Sequence, residues 1–173
     1  PYAASKRMNE IHAQTWRTCF GLRATGLRFF NVFGPRQDPN GAYAAVIPQW
    51  IAAMKQGSEV FINGDGENTR DFCFVRDIVQ ALLLAATTAD DSAPGDVFNV
   101  GLGKGTSLNE LFATLKALIE ESAGRAVAPA IHRDFRPGDI RHSCADASKI
   151  QRVLGFTPRH TVKDGLRETI AAF

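Results

Sequence analysis

The chain opens with PYAASK, a tyrosine and a lysine four residues apart at the head of a helical stretch. Residues at i and i+4 share a helix face, so Tyr2 and Lys6 lie one above the other. An ammonium beside a phenol favours the phenolate and lowers the tyrosine pKa. A phenol tuned in this way can take a proton from a hydroxyl as a general base. Taken alone, the pair equally suits an ordinary exposed helix face. A second stretch, GLGKGTS at 101–107, is rich in glycine and lies between a strand and a helix. It fails as a dinucleotide fingerprint, because Thr106 stands where GxGxxG needs its last glycine. It reads instead as a strand-to-helix turn. His132 and His142 have no metal-ligand spacing with any cysteine or carboxylate cluster, so no metal is assigned.

The elements that must position these residues follow from pattern. Residues from about 2 to 20 form a helix, with Ile11, Thr15 and Cys19 along one stripe and Gly21 at its end. ATGLRFFNV reads as one buried strand, and FGPRQDPNG as a loop. AVIPQWIAAMKQG is a helix with Pro48 in its first turn and Gly57 near its C-cap. EVFI and ENTRDFCFV are two short strands around Asn-Gly and Asp-Gly turn signals. VRDIVQALLLAATT is a helix with Asp77 as candidate N-cap, and GDVFNV is a strand. Ser107 and Glu110 match a capping box, and Leu108, Leu111, Leu115, Leu118 and Ile119 form the stripe of the helix that follows. APAIHRDF is a short strand, and SKIQRVLGF and VKDGLRETIAAF are two short helices. Strands alternating with helices make the class α/β with a parallel sheet. Only two or three strands are of sheet quality, fewer than a doubly wound fold uses.

A formal charge of +2 without basic clusters argues against nucleic acid. The run ALLLAA is too short to span a bilayer, and no signal-peptide pattern is visible, so no membrane partner is expected. Cys19, Cys73 and Cys144 are odd in number and far apart, which fits a reduced, cytoplasmic setting.

An ordered series of motifs resembles the extended short-chain dehydrogenase/reductase family, and within it the UDP-hexose 4-epimerases and the UDP-N-acetylglucosamine 4-epimerases. The series is PYAASK, LRFFNVFGPRQDPNGAYAAVIPQW, INGDGENTRDFCFVRDIVQALLLA, VFNVG, SLNEL and FRPGDIRHSCADASK. The resemblance implies the C-terminal part of a Rossmann-like NAD-binding fold plus the small substrate-binding α/β subdomain. Residues 1–173 would be an incomplete epimerase/dehydratase domain, with substrate-side elements mainly at 35–75 and 101–173. The Gly-rich NAD-binding half and an assisting serine or threonine would lie upstream. These 173 residues alone would then be inactive and bind NAD poorly.

Residue by residue, the resemblance implies that Tyr2 takes the proton of the sugar 4-hydroxyl and Lys6 holds the nicotinamide ribose. Phe29, Phe30 and Val32 would line the nicotinamide pocket. Asn31 would contact the substrate phosphates, and Ala45 and Val46 would meet the nucleotide at a helix start. Phe61 and Asn63 would sit near the uracil, although Asn63 also suits the Asn-Gly turn. Arg70 would pair with the pyrophosphate, while Arg136 and Asp139 would hold the nucleotide, Asp139 at the ribose. Ser143, where relatives restricted to non-acetylated sugars resemble a bulky tyrosine, would leave room for a 2-N-acetyl group. Gly105 stands where relatives often carry arginine. Asp71 and Asp77 read as structural. The implied partners are a UDP-sugar and a second copy, joined through the helix that begins at Tyr2. The implied reaction interconverts UDP-GlcNAc and UDP-GalNAc through a 4-keto sugar with NAD. A dehydratase or decarboxylase of the same architecture and a non-catalytic nucleotide-sugar binding remnant stay open as alternatives.

Overall fold

Helix follows strand along most of the computed structural model, which describes residues 1–41, 44–89, 93–124 and 126–173. Helix α1 (Tyr2–Phe20) ends where glycine predicts: Gly21 is left-handed at φ 68, and its N–H turns back to the Arg17 carbonyl. The stripe at Ile11, Thr15 and Cys19 buries nothing, and Ile11 is 53% exposed. Only one of those three residues is strongly apolar. A polar contact ties α1 to the next strand instead: Glu10 accepts from Arg28 at 2.6 and 2.8 Å.

The expected single strand is two. β1 (Gly26–Phe29) runs parallel to β6 (Val97–Val100), and β2 (Asn31–Phe33) runs parallel to β5 (Phe72–Phe74). The chain changes partner at Phe30, whose N–H reaches Val100 while the Asn31 N–H reaches Asp71. β1 is not buried, because Arg28 and Phe29 lie at the surface. The turn-rich stretch at 61–74 holds three strands rather than two. β3 (Phe61–Asn63) pairs with β8 (Ile131–Arg133), and β4 (Thr69–Arg70) pairs antiparallel with β7 (Thr106–Ser107). None of these three strands pairs with another among the described residues.

Helix α2 (Val46–Gln56) buries Ile47, Trp50, Ile51 and Met54, with Gly57 as left-handed C-cap. Helix α3 (Val75–Thr87) starts straight off β5, so Phe74 is its N-cap and Asp77 is not. The Asp77 carboxylate accepts from the Arg159 and His160 N–H groups and from the His160 ring. Helix α4 (Leu108–Ala123) carries both bonds of the expected Ser107–Glu110 capping box. Helices α5 (Ser148–Leu154) and α6 (Val162–Ala171) close the chain, and Thr161 and Asp164 make a second box.

Buried side chains form two clusters, and β5 feeds both by strand alternation. Phe72 and Phe74 join Phe33 and the apolar faces of α2, α4 and α6. Cys73 points the other way, toward Ile78, Phe98, Val100, Ile150 and Phe156. No helix of the described residues is long and apolar enough to cross a membrane.

Candidate active site

A cavity of about 480 Å³ opens where β2, β3, β4 and the start of α2 converge. That volume lies within the roughly 300–1,000 Å³ of small-molecule sites. Asn31 and Val32 enter it at the partner switch of the strand, and Phe61 and Asn63 come from one face of β3. Ala44, Ala45, Val46 and Ile47 bring the first turn of α2, which no side chain caps. Free amides at such a terminus favour an anion. Arg70, Arg136 and Asp139 complete the polar wall.

The two arginines differ in their commitments. Arg70 donates to the Thr69 and Ile140 carbonyls and pairs with Asp139 at 2.5 Å. The Arg136 guanidinium has no hydrogen-bond or ion-pair partner among the described residues, so its fork is open to the cavity. The Arg133 guanidinium stacks 3.1 Å from the centroid of the Phe61 ring and covers one ring face. Beyond the cavity wall, Arg141 grips Asp65 at 2.6 and 2.7 Å. This grip, with the Glu67 N–H, holds the Asp65 carboxyl down at about 2.

A separate groove of about 510 Å³ runs between α1 and β1 and is lined by Tyr2, Lys6, Glu10, Arg28 and Phe29. The Lys6 ammonium lies 5.3 Å from the Tyr2 ring centroid. Neither the Tyr2 hydroxyl nor the Lys6 ammonium has a hydrogen-bond or ion-pair partner among the described residues. Tyr2 is 76% exposed.

The structure therefore gathers Asn31, Val32, Ala45, Val46, Phe61, Asn63, Arg70, Arg136 and Asp139 in one cavity. It places Tyr2, Lys6 and Phe29 in the separate groove between α1 and β1. Phe30 and Ser143 line neither: Phe30 is half-buried at the partner switch, and the Ser143 N–H is tied to the Thr69 carbonyl at 3.1 Å. Ala42 and Tyr43, within the motif around Asn31, lie outside the described residues.

Several contributors were not legible beforehand. Trp50, packed edge-on against Phe112, lines the cavity with Gln49, Phe72 and Leu108. Their helical and alternating spacing signals core, and only the missing cap at Ala45 points to an open helix start. GLGKGTS is settled by its hydrogen bonds. The Leu102 and Gly103 N–H groups donate to the buried Asp71, which leaves no cradle for a phosphate. A side chain at Gly105 would come within 3.3 Å of Thr69, so an arginine there needs that threonine to move. Burial, then the charges of Asp77 and Asp71, push the Cys73 thiol up to about 12, so Cys73 is not a nucleophile.

Residues 1–101 match the NAD dependent epimerase/dehydratase family. The chain belongs to this family. It is 35% identical over its whole length to the UDP-glucose 4-epimerase of Mycolicibacterium smegmatis, of which it covers 52%. It superimposes on the UDP-N-acetylglucosamine 4-epimerase from Methanobrevibacter ruminantium M1, solved with UDP-N-acetylmuramic acid. That match has a TM-score of 0.89 and 40% identity, over 99% of this chain and 53% of the other. The UDP-glucose 4-epimerase of Thermotoga maritima, solved with UDP-glucose, gives a TM-score of 0.88 at 38% identity, over 99% and 52%. The chain thus spans about half the length of the relatives it matches and has the α/β, Rossmann-like fold of this family.

The family's cofactor is NAD. The groove residues fit one end of it: an unpaired ammonium and phenol can bond ribose hydroxyls, and the exposed Phe29 offers apolar contact to a ring.

Proposed function

We propose that the protein carrying this chain is an NAD-dependent UDP-sugar 4-epimerase that interconverts UDP-GlcNAc and UDP-GalNAc. One observation carries the reading. A single cavity collects an uncapped helix start, an arginine whose guanidinium is unpaired among the described residues, an aspartate and an aromatic ring, the kinds of group that can hold a nucleoside diphosphate.

In this reading Arg136 meets the pyrophosphate first, because its fork is uncommitted, and Arg70 shares its fork between Asp139 and phosphate. Asn31 and the amides of Ala45 and Val46 add hydrogen bonds to the phosphates. Phe61, backed by Arg133, offers its ring to the uracil face, and Asn63 reaches the uracil edge. Asp139 accepts from the ribose. The firm grip falls on UDP, which leaves the hexose free to turn. Tyr2 takes and returns the proton of the 4-hydroxyl, and Lys6 holds the nicotinamide ribose, with Phe29, Phe30 and Val32 around the ring. NAD, when bound, supplies the hydride acceptor and donor. Ser143 leaves space for the 2-acetamido group. Residues 1–173 form part of a larger epimerase/dehydratase domain, with the substrate-side elements mainly at 35–75 and 101–173. Two copies pair through α1, whose Met8, Ile11, Trp16 and Phe20 are exposed.

The test is turnover by the protein carrying this chain on UDP-GlcNAc, UDP-GalNAc, UDP-glucose and UDP-galactose. Interconversion of the two acetylated sugars, faster than of the two others, supports the reading. Faster interconversion of the non-acetylated pair removes the role of Ser143. Loss of water or of carbon dioxide from a nucleotide sugar, in place of epimers, would replace the reaction class.

A further inference from the structure

We propose that Asn68 is a positioning residue that aims the Asp139–Arg70 pair at the nucleotide. The inference rests on the UDP reading of the cavity. Asn68 is 3% exposed and does not line the cavity. Its Nδ2 donates to Asp139 Oδ2 at 2.9 Å, and its Oδ1 accepts from Arg141 at 2.9 Å. The amide has only one workable orientation. Turned over, its oxygen would face a carboxylate and its NH₂ a guanidinium. The result is an alternating chain, Asp65–Arg141–Asn68–Asp139–Arg70, in which each group presents the complement of its neighbour.

The two ends of this chain differ. Asp65 and Arg141 lie outside the cavity, while Asp139 and Arg70 line it. Asp139 sits in the exposed stretch 131–142, where its side chain keeps 30% of its accessibility. Such a side chain has several rotamers, and two bonds restrict it here, one from Arg70 to Oδ1 and one from Asn68 to Oδ2. The Asn68 backbone is fixed in turn, since its carbonyl accepts the Leu108 N–H at the start of α4. A neutral, buried amide outside the cavity lining thereby sets the direction of the carboxylate assigned to the ribose. It also sets how much of the Arg70 fork remains for phosphate.

The test is calorimetric titration of UDP into the protein carrying this chain, across pH. Asn68→Asp keeps the shape but sets a carboxylate against Asp139. Two carboxylates at that separation share one proton, and the pair's upper pKa is raised. The charged and titratable groups around position 68 are Asp65, Glu67, Arg70, Asp139, Arg141, Glu110 at the start of α4, and His142 through Thr69. All of them are present in the parent, so the difference in pH profile between variant and parent isolates position 68. We expect UDP affinity about tenfold below the parent near pH 8, recovering toward the parent near pH 5.5 as the shared proton binds. Arg141→Met removes an exposed side chain and leaves the Asn68 oxygen without its donor; UDP affinity should fall about threefold or more. If Asn68→Asp does not fold, Arg141→Met decides. Parent-like affinity in Arg141→Met, or an Asn68→Asp profile that parallels the parent, overturns the role. A parent that does not bind UDP overturns the function reading itself, which separates the two failures.

Discussion

Replacing Asp71 with asparagine tests how the cavity wall is held. The Asp71 side chain is fully buried and accepts three backbone N–H groups: Leu102 on Oδ1 at 2.9 Å, and Gly103 and Ala145 on Oδ2 at 2.9 and 3.0 Å. Asparagine offers one acceptor oxygen. Its best placement keeps the two bonds at Gly103 and Ala145 and turns its NH₂ against the Leu102 N–H. One charge-assisted bond of about 2 kcal/mol is lost, and a buried donor is left facing another donor at about 1–3 kcal/mol. The two remaining bonds weaken as their acceptor loses its charge. Against this, the neutral amide is easier to bury than a carboxylate. The balance is a destabilisation of about 3 kcal/mol, or roughly 6–12 °C in melting temperature for a cooperative unit of roughly 150–250 residues. The site has no slack for rearrangement, because even a Cβ at Gly101 would lie 2.6 Å from the Asp71 carboxylate. Differential scanning calorimetry gives the melting shift, and amide exchange at Leu102, Gly103 and Ala145 gives its location. A variant that melts within about 2 °C of the parent, with those amides still protected, would refute the reasoning.

Tyr2→Phe in the protein carrying this chain should lower kcat by about 10²–10⁴-fold with little change in KM, as steady-state kinetics will read; unchanged kcat removes Tyr2 as the base. Gly165→Ala in α6 sets two effects against each other. Alanine gains up to about 1 kcal/mol of helix propensity. Its Cβ, however, would lie 2.6 Å from the Phe74 ring and 2.7 Å from Phe33, an overpacking of about 1–3 kcal/mol. Urea denaturation should show net destabilisation, and a rise in stability would contradict the packing described here. Arg28, then Arg7, lowers the Glu10 carboxyl from 4.5 to about 2. A folded-state pKa below the unfolded one adds stability that is present above about 4.5 and lost as pH falls toward 2. The denaturation midpoint of the parent should therefore exceed that of Glu10→Gln at pH 6, and the two should converge near pH 2; equal midpoints at both would show that the pair contributes nothing.

Much of this architecture was legible where local rules act alone. The Ser107–Glu110 box, the α4 stripe and the glycine stops at Gly21 and Gly57 depend on neighbours within one turn. What sequence could not supply was pairing between distant strands. The break at Phe30 arises because β6 and β5 each claim part of one run, a contest set by residues some 40 to 70 positions away. The same holds for Asp77, whose partners at 159 and 160 come from the far end of the chain. In the site, nine of the residues that the resemblance singles out converge on one cavity. Ser143 and Phe30 do not line it, since proximity in a motif does not fix where a side chain faces. The Asn68 relay had no sequence signal, because an asparagine between a glutamate and a threonine in a turn-rich stretch reads as turn chemistry.

In the proposed function, the cavity between β2, β3, β4 and the start of α2 holds a UDP group. A crystal structure of the protein carrying this chain with UDP-GlcNAc tests it most directly. Pyrophosphate oxygens are expected within hydrogen-bonding distance of Arg136 and the amides at the head of α2, with the uracil against Phe61. A nucleotide bound elsewhere, with this cavity filled only by water, would contradict it.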